Sequence, residues 1–270
     1  MRTRSRLIGQ APWRGAPAAA GADGTVPAIE LVGVAKAFDG NQVLRGVDLA
    51  VRPGESLTII GGSGTGKSVL LRLTIGLLKP DAGQIRLEGI NIVPLSETEL
   101  LRVRRRIGMV FQGSALFDSL SVGENVAFAL REHTTLSEAE IASRVREALD
   151  LVGLGPIEGM DPADLSGGMK KRVAVARAIA LPPSVLLYDE PTTGLDPTNV
   201  EKITDLILAL KTKLGVTSVV VTHDMPSALK VSDRVAMLQQ GRIAAVGTPD
   251  EIQRTHDSLI REFMEGRLPR

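Results

Sequence analysis

The sequence predicts an α/β fold: a core of mostly parallel strands, an antiparallel β subdomain ahead of it and an α-helical subdomain inserted within it. Three observations carry that prediction. Short apolar runs, Ser56–Ile60 (SLTII), Val185–Tyr188 and Ser218–Thr222, have the pattern of strands buried on both faces, as parallel sheets require. Longer alternating segments, Ile29–Phe38 and Val43–Val51, read as antiparallel strands around an Asp39-Gly40-Asn41 turn. Between Ser119 and Leu165 the strand signal stops and a helical period replaces it.

Composition agrees with a globular chain. Of 270 residues 43% are apolar and 23% charged, and Lys+Arg 32 against Asp+Glu 31 leaves a net charge of +1. No global field therefore recruits nucleic acid or an anionic membrane. The absence of cysteine excludes disulfides, thiolate metal sites and a cysteine nucleophile. No stretch approaches the roughly 18 apolar residues of a spanning helix. The expectation is a cytoplasmic protein that meets a membrane only through a partner.

The elements follow in order. Residues 1–27 are rich in Ala, Gly and Pro, carry four arginines against one aspartate, and show no period, so they read as a disordered, solvated extension. Residues 28–250 form the main domain, with a helical subdomain at about 113–165, and 251–270 form a tail. Ser56–Ile60 leads through a Gly-rich turn into a helix over Ser68–Leu78. Ile85–Leu87 and Ile107–Phe111 are further strands. Leu136–Leu151 places Ile141, Val145, Leu149 and Val152 on one helical face, with Ser137 and Glu140 as a capping box. Met169–Ala180 is a helix, and Val235–Leu238 meets Ile243–Val246 across a hairpin turn. Arg102, Arg104, Arg105 and Arg106 have no interleaved aromatics and read as a solvated helix end rather than a nucleic-acid patch. His133 and His256 have no setting that assigns them a role.

The chemistry begins at Gly61-Gly62-Ser63-Gly64-Thr65-Gly66-Lys67-Ser68, which satisfies GxxxxGK[ST] at every defined position between a strand and a helix. Glycines let backbone N–H groups curl around phosphate oxygens, and the helix N-terminus adds a favourable dipole. The pattern gives Lys67 the β and γ phosphates of ATP and Ser68 the Mg²⁺. The strand Val185–Tyr188 runs into Asp189 and Glu190, two acids that are costly to bury unless they meet a cation or water. Parallel strands open onto the ligand crevice at their C-termini, so Asp189 is placed to hold Mg²⁺ and Glu190 to act as general base toward water. Leu165-Ser166-Gly167-Gly168-Met169 is a second anion-binding helix start. One nucleotide needs one cradle, so the second points to a nucleotide held by another subunit.

Together these motifs resemble the ATP-binding subunits of ABC transporters over about Ile29 to Gly247, with Met169 where the usual signature LSGGQ ends in Gln. The resemblance implies a P-loop ATPase fold that pairs head to tail with a second copy, each ATP lying between one subunit's 61–68 loop and the partner's Ser166, Gly167 and Gly168. It further implies that Phe38 stacks on adenine and that Val69 joins the P-loop residues in contacting nucleotide. Gln112 would touch Mg²⁺ or water and link the nucleotide to the helical insert, Asp196 would cross the dimer interface, and His223 would lie near the γ-phosphate.

Finer blocks are similar to the ATPases of Mla-type, MCE-domain phospholipid transporters: residues 61–71, 111–120, 124–128, 165–180 with Met169, and 188–197. Arg261–Gly266 is similar to that group's tail, which there reaches a neighbouring subunit. This implies ATP hydrolysis that powers phospholipid movement between envelope membranes, at the cytoplasmic face of the inner membrane. The implied partners are a transmembrane permease, an MCE-domain lipid-binding protein and a small STAS-domain protein, with no nucleic acid. Two other readings stay open: an ABC ATPase that imports another solute such as an amino acid, and a soluble non-transport ABC ATPase. The latter commonly carries tandem cassettes or a long coiled coil, whereas this chain has one cassette.

Overall fold

A computed structural model of the chain describes residues 25–255 and 258–264. The expected disordered extension (apart from residues 25–27), His256 and the end of the tail, 265–270, lie outside the described residues.

Two sheets organise the fold. In the first, β1 (Ile29–Phe38) pairs antiparallel with β2 (Asn41–Val51) and with β4 (Ala82–Leu87), and β5 (Ile90–Asn91) closes the edge, giving the order β2-β1-β4-β5. The second contains β3 (Ser56–Ile60), β6 (Ile107–Val110), β7 (Val185–Asp189), β8 (Thr217–Thr222), β9 (Arg234–Gln239) and β10 (Arg242–Gly247), in the order β10-β9-β3-β8-β7-β6. All of its pairings are parallel except β9 with β10. The register aligns Ile60 with Thr222, Val221 with Asp189, and Tyr188 with Val110. The strands therefore end level, and the chain leaves β3, β6, β7 and β8 along one edge of the sheet. Consecutive buried residues such as Ser56–Ile60 and Val185–Asp189 show why the runs are apolar without alternation: helices or sheet cover both faces.

Three helices form the layer on one face: α3 (Val122–His133), α4 (Glu138–Leu151) and α5 (Gly167–Ala180). Val126, Leu130, Ile141, Val145, Leu149 and Val173 pack in one buried cluster with Val110, Leu186 and Tyr188. Capping boxes at Ser121/Glu124 and Ser137/Glu140 begin α3 and α4, the second as expected from the sequence. α6 (Pro197–Leu214) joins the same cluster through Ile203, Ile207 and Leu210. On the opposite face, Leu57, Ile59, Leu187, Val219 and Val221 pack against Leu70, Leu71 and Leu73 and against Val34, Leu44 and Ile85 of the antiparallel sheet. A third, smaller cluster gathers Ile60, Val235 and Met237 with Ala228 of α7 (Met225–Val231), Ile252 of α8 (Pro249–Arg254) and Ile260 of α9 (Ser258–Met264).

Three local expectations are corrected. The helix expected over Ser68–Leu78 is α1 (Lys67–Thr74) and ends four residues early. Gly76 takes the left-handed conformation (φ 67°), and the N–H groups of Leu77 and Leu78 turn back to the Arg72 carbonyl. Arg104, expected to be solvated, is half-buried at the end of α2 (Glu97–Arg104) and donates to the Ile75 and Gly76 carbonyls, which satisfies the C-terminus of α1. Arg102, Arg105 and Arg106 are exposed, and Arg106 pairs with Glu88. The first hairpin turn is only Asp39-Gly40, because both residues adopt positive φ (49° and 81°) and Asn41 already pairs with Phe38.

Candidate active site

The site is assembled where the level strands end. β3 hands the chain to the loop 61–66, whose path depends on two glycines. A Cβ at Gly61 would lie 2.5 Å from the Leu238 carbonyl oxygen, and one at Gly66 (φ 103°) would lie 2.9 Å from Val43. The loop is thus pressed between β9 and β2, and its tip, Ser63 and Gly64, faces solvent. Gly61→Ala is expected to lower stability by about 1–3 kcal/mol, because the opposing atom is backbone and cannot swing away. Thermal denaturation would show this, and an unchanged melting temperature would contradict the close approach.

Lys67, first in α1, is buried and donates to the Gly61 and Gly62 carbonyls at 2.8 and 3.0 Å. Its ammonium also lies 3.4 Å from Glu190 Oε1. Next to it, the Ser68 hydroxyl donates to Asp189 Oδ1 at 2.7 Å. Loop, helix start and the end of β7 are therefore one hydrogen-bonded unit. Among the described residues no group of three or more His, Asp or Glu side chains could hold a metal by itself. The Ser68–Asp189 pair offers one hydroxyl and one carboxylate, a hard-oxygen donor set that fits Mg²⁺ completed by phosphate oxygens and water.

Glu190 sits just past the last residue of β7, buried, with φ at 48°. A non-glycine residue in this region costs on the order of 1–2 kcal/mol and persists only where neighbours hold it. Here its N–H donates to the Val221 carbonyl at 2.9 Å, and its own carbonyl accepts from Thr193 N–H and from the Lys171 ammonium. The carboxylate is equally well held: Thr193 Oγ1 donates to Oε2 at 3.1 Å, and His223 Nδ1 lies 2.9 Å from the same oxygen. His223 follows β8 with its ring largely exposed, so it spans from the buried carboxylate to solvent. This arrangement can orient a water molecule and take its proton.

The other sequence-predicted residues fall in three places. Gln112 is exposed just after β6, and its backbone carbonyl accepts from Lys171. Phe38 ends β1 with its ring exposed beside the Lys36 ammonium, 5.4 Å from the centroid. Val69 is half-buried and packs with the core beneath α1. Ser166 caps α5 by accepting from Met169 N–H at 3.3 Å. Asp196 caps α6 by accepting from Asn199, and these bonds hold its carboxyl below the usual range. The two caps are neighbours, since a Cβ at Gly168 would lie 2.7 Å from Asn199 Oδ1. No described hydrogen bond joins the 166–168 turn to Lys67, Ser68, Asp189 or Glu190. Met169 is partly buried against the helical core.

Two residues of this centre escape the sequence reading. Thr193 holds the Glu190 carboxylate, but a threonine in a turn carries no signal of its own. Lys171 is buried in the first turns of α5, where burial pushes its ammonium pKa down while the charges of Asp189 and Glu190 oppose that shift.

Fold and site together define a nucleotide-binding P-loop ATPase. Comparison with known proteins narrows this. The pattern described as "ABC transporter" matches residues 44–193. The chain is 40% identical over 253 residues to the "Probable ribonucleotide transport ATP-binding protein mkl" of Mycobacterium leprae (strain TN), a match spanning 93% of this chain and 73% of that protein. It is 42% identical over 228 residues to the intermembrane phospholipid transport system ATP-binding protein MlaF of Escherichia coli (strain K12), spanning 84% of this chain and 85% of MlaF. Among solved structures, the dimeric post-hydrolysis state of the ATP-binding cassette MJ0796 bound to ADP and Pi is similar, with TM-score 0.77 and 34% identity over 82% of this chain and 98% of that one. The chain belongs to the ABC transporter family.

Proposed function

We propose that the protein is the ATP-hydrolysing subunit of a phospholipid transporter, working as a head-to-tail pair against membrane-embedded partners. The observation that carries the catalytic half is the set of buried Lys67, Asp189 and Glu190 with half-buried Ser68 bonded to Asp189 and His223 on the Glu190 carboxylate. The 61–66 backbone cradles the phosphates and Lys67 meets their charge. Mg²⁺ would be held by Ser68 and Asp189, with Gln112 as a further ligand, and would neutralise phosphate charge. Glu190 accepts a proton from the attacking water, with Thr193 and His223 fixing the orientation of its carboxylate. Phe38 offers its exposed face to the adenine ring, and Val69 backs the phosphate loop. The Ser166-Gly167-Gly168 turn and Asp196 face a second copy, a reading supported by their separation from the hydrogen-bonded centre and by the dimeric MJ0796 cassette.

The transport half rests on two supports. MlaF, named for intermembrane phospholipid transport, is matched over 85% of its length. In addition, Phe117 and Phe128 stand exposed on the helical layer with ring centroids 4.9 Å apart. The loop bearing Phe117 is held firmly: Asn125 is fully buried and exchanges hydrogen bonds with Phe117 backbone N–H and C=O, while Arg177 donates to the Ser114 and Ala115 carbonyls. A rigid exposed aromatic pair suits docking of an apolar segment from a permease. Among the described residues no helix is long and apolar enough to cross a membrane. In this proposal, attachment to the cytoplasmic face of the inner membrane goes through that partner. An MCE-domain protein and a STAS-domain protein complete the proposed assembly, and a neighbouring subunit contacts the tail 251–270, whose Ile252 and Ile260 pack on this chain's own core. Phe128→Asp is expected to weaken permease recovery by about tenfold or more, with nucleotide binding unchanged. Equal recovery would remove the aromatic pair as the docking point.

A second reading, transport of a ribonucleotide, is favoured by the match to mkl over 93% of this chain. Affinity purification from detergent-solubilised membranes, with mass spectrometry of proteins and lipids, separates the two. Co-purifying permease, MCE protein and phospholipid supports the lipid reading. A different permease without lipid overturns it.

A further inference from the structure

Helix α5 has two ends of business within its first two turns. Its N-terminal turn, Ser166 to Gly168, is the part proposed above to face the partner's nucleotide. Five residues on from its cap, Lys171 points the other way, into its own subunit. There its ammonium donates to the backbone carbonyl of Gln112 and, at 3.5 Å, to that of Glu190. Both acceptors matter for the chemistry: one lies at the entrance to the helical subdomain, and the other belongs to the residue whose backbone is held at φ 48°.

We propose that Lys171 is a positioning residue that couples the two nucleotide sites of the pair, tying the signature helix that serves one site to the base and Gln112 loop of the other. The inference rests on the reading of Glu190 as base and of the 166–168 turn as the partner-facing cradle. A buried ammonium is costly unless its donors are used, and the described donors go to these two carbonyls rather than to a carboxylate side chain. Shifting α5 therefore pulls on two backbone segments at once, without breaking the Lys67–Glu190 pair. Because both carbonyls are held by one cation, the Gln112 loop and the Glu190 turn move with the helix as a unit. ATP engaging the partner-facing end of α5 is thereby felt at the base of the opposite site.

The test uses the full-length protein in its purified membrane assembly and measures ATPase rate against ATP concentration for wild type, Lys171→Met, Lys171→Arg and Glu190→Gln. Binding of a fluorescent ADP analogue is measured in parallel. Lys171→Met is expected to lower kcat by about tenfold and to bring the Hill coefficient to one, with ADP affinity unchanged. Lys171→Arg, which keeps the cation and its donors, is expected to recover most of the rate and the cooperativity. A packing role alone would change thermal stability and leave the Hill coefficient of the folded fraction at the wild-type value. Lys171→Met with wild-type kcat and cooperativity, while Glu190→Gln is inactive, would overturn the coupling role and leave the base assignment standing. Normal hydrolysis by Glu190→Gln would overturn the base assignment and the inference with it.

Discussion

Glu190→Gln is expected to lower ATP turnover by about a hundred- to ten-thousandfold, the range that a positioned general base contributes. The substitution preserves size and one oxygen, so Thr193 Oγ1 and His223 still have an acceptor to meet. It removes the lone pair and charge that take the water's proton. Nucleotide binding should persist, because Lys67 keeps its Gly61 and Gly62 carbonyls and the loop 61–66 is untouched. In the proposed head-to-tail pair each ATP bridges two copies, so a variant that binds ATP without cleaving it should accumulate as an ATP-bound dimer. Size-exclusion chromatography with light scattering, with and without ATP, would show that shift. A variant that hydrolyses ATP at the wild-type rate would end the assignment of Glu190 as base.

Lys67→Ala should fail earlier, at binding. The ammonium is the buried cation of the phosphate loop, and a charge-assisted hydrogen bond of this kind is worth about 1.5–3 kcal/mol, so nucleotide affinity should fall about ten- to a hundredfold. The same change strands the Glu190 carboxylate. Breaking one side of a buried ion pair costs about 3–5 kcal/mol, and the lower end applies because Thr193 and His223 still meet the acid. Lys67→Ala should thus melt earlier and bind a fluorescent ADP analogue weakly, whereas Glu190→Gln should bind it normally. The contrast between the two variants separates holding the phosphates from activating the water. Wild-type affinity in Lys67→Ala would contradict the role given to the loop.

Much of this centre is legible in the sequence because its chemistry is local. The 61–68 loop, the acids after Val185–Tyr188 and the cap at Ser166 each combine a residue pattern with the element that displays it. The β1, β3 and α4 assignments hold for the same reason: Ile29–Phe38 and Ser56–Ile60 are strands over the expected residues, and Ser137 with Glu140 starts α4. What the sequence hides depends on distant partners. The early end of α1 comes from Gly76 together with Arg104, 28 residues on, which caps the Gly76 carbonyl. Lys171 looks like any lysine on a helix surface until the strand ends carrying Gln112 and Glu190 are placed beneath it. The strain at Glu190 is likewise invisible in a list of residues, because it is set by the sheet register that ties its N–H to Val221.

The most direct test of the account is transport itself. The ATPase, co-purified with its membrane partners, is reconstituted into vesicles that contain a fluorescent phospholipid. Lipid transfer to acceptor vesicles is then followed with ATP, without ATP, and with Glu190→Gln in place of the wild-type subunit. Transfer is expected to need ATP and to disappear in Glu190→Gln. ATP hydrolysis without any lipid transfer, or transfer that proceeds equally with Glu190→Gln, would contradict this.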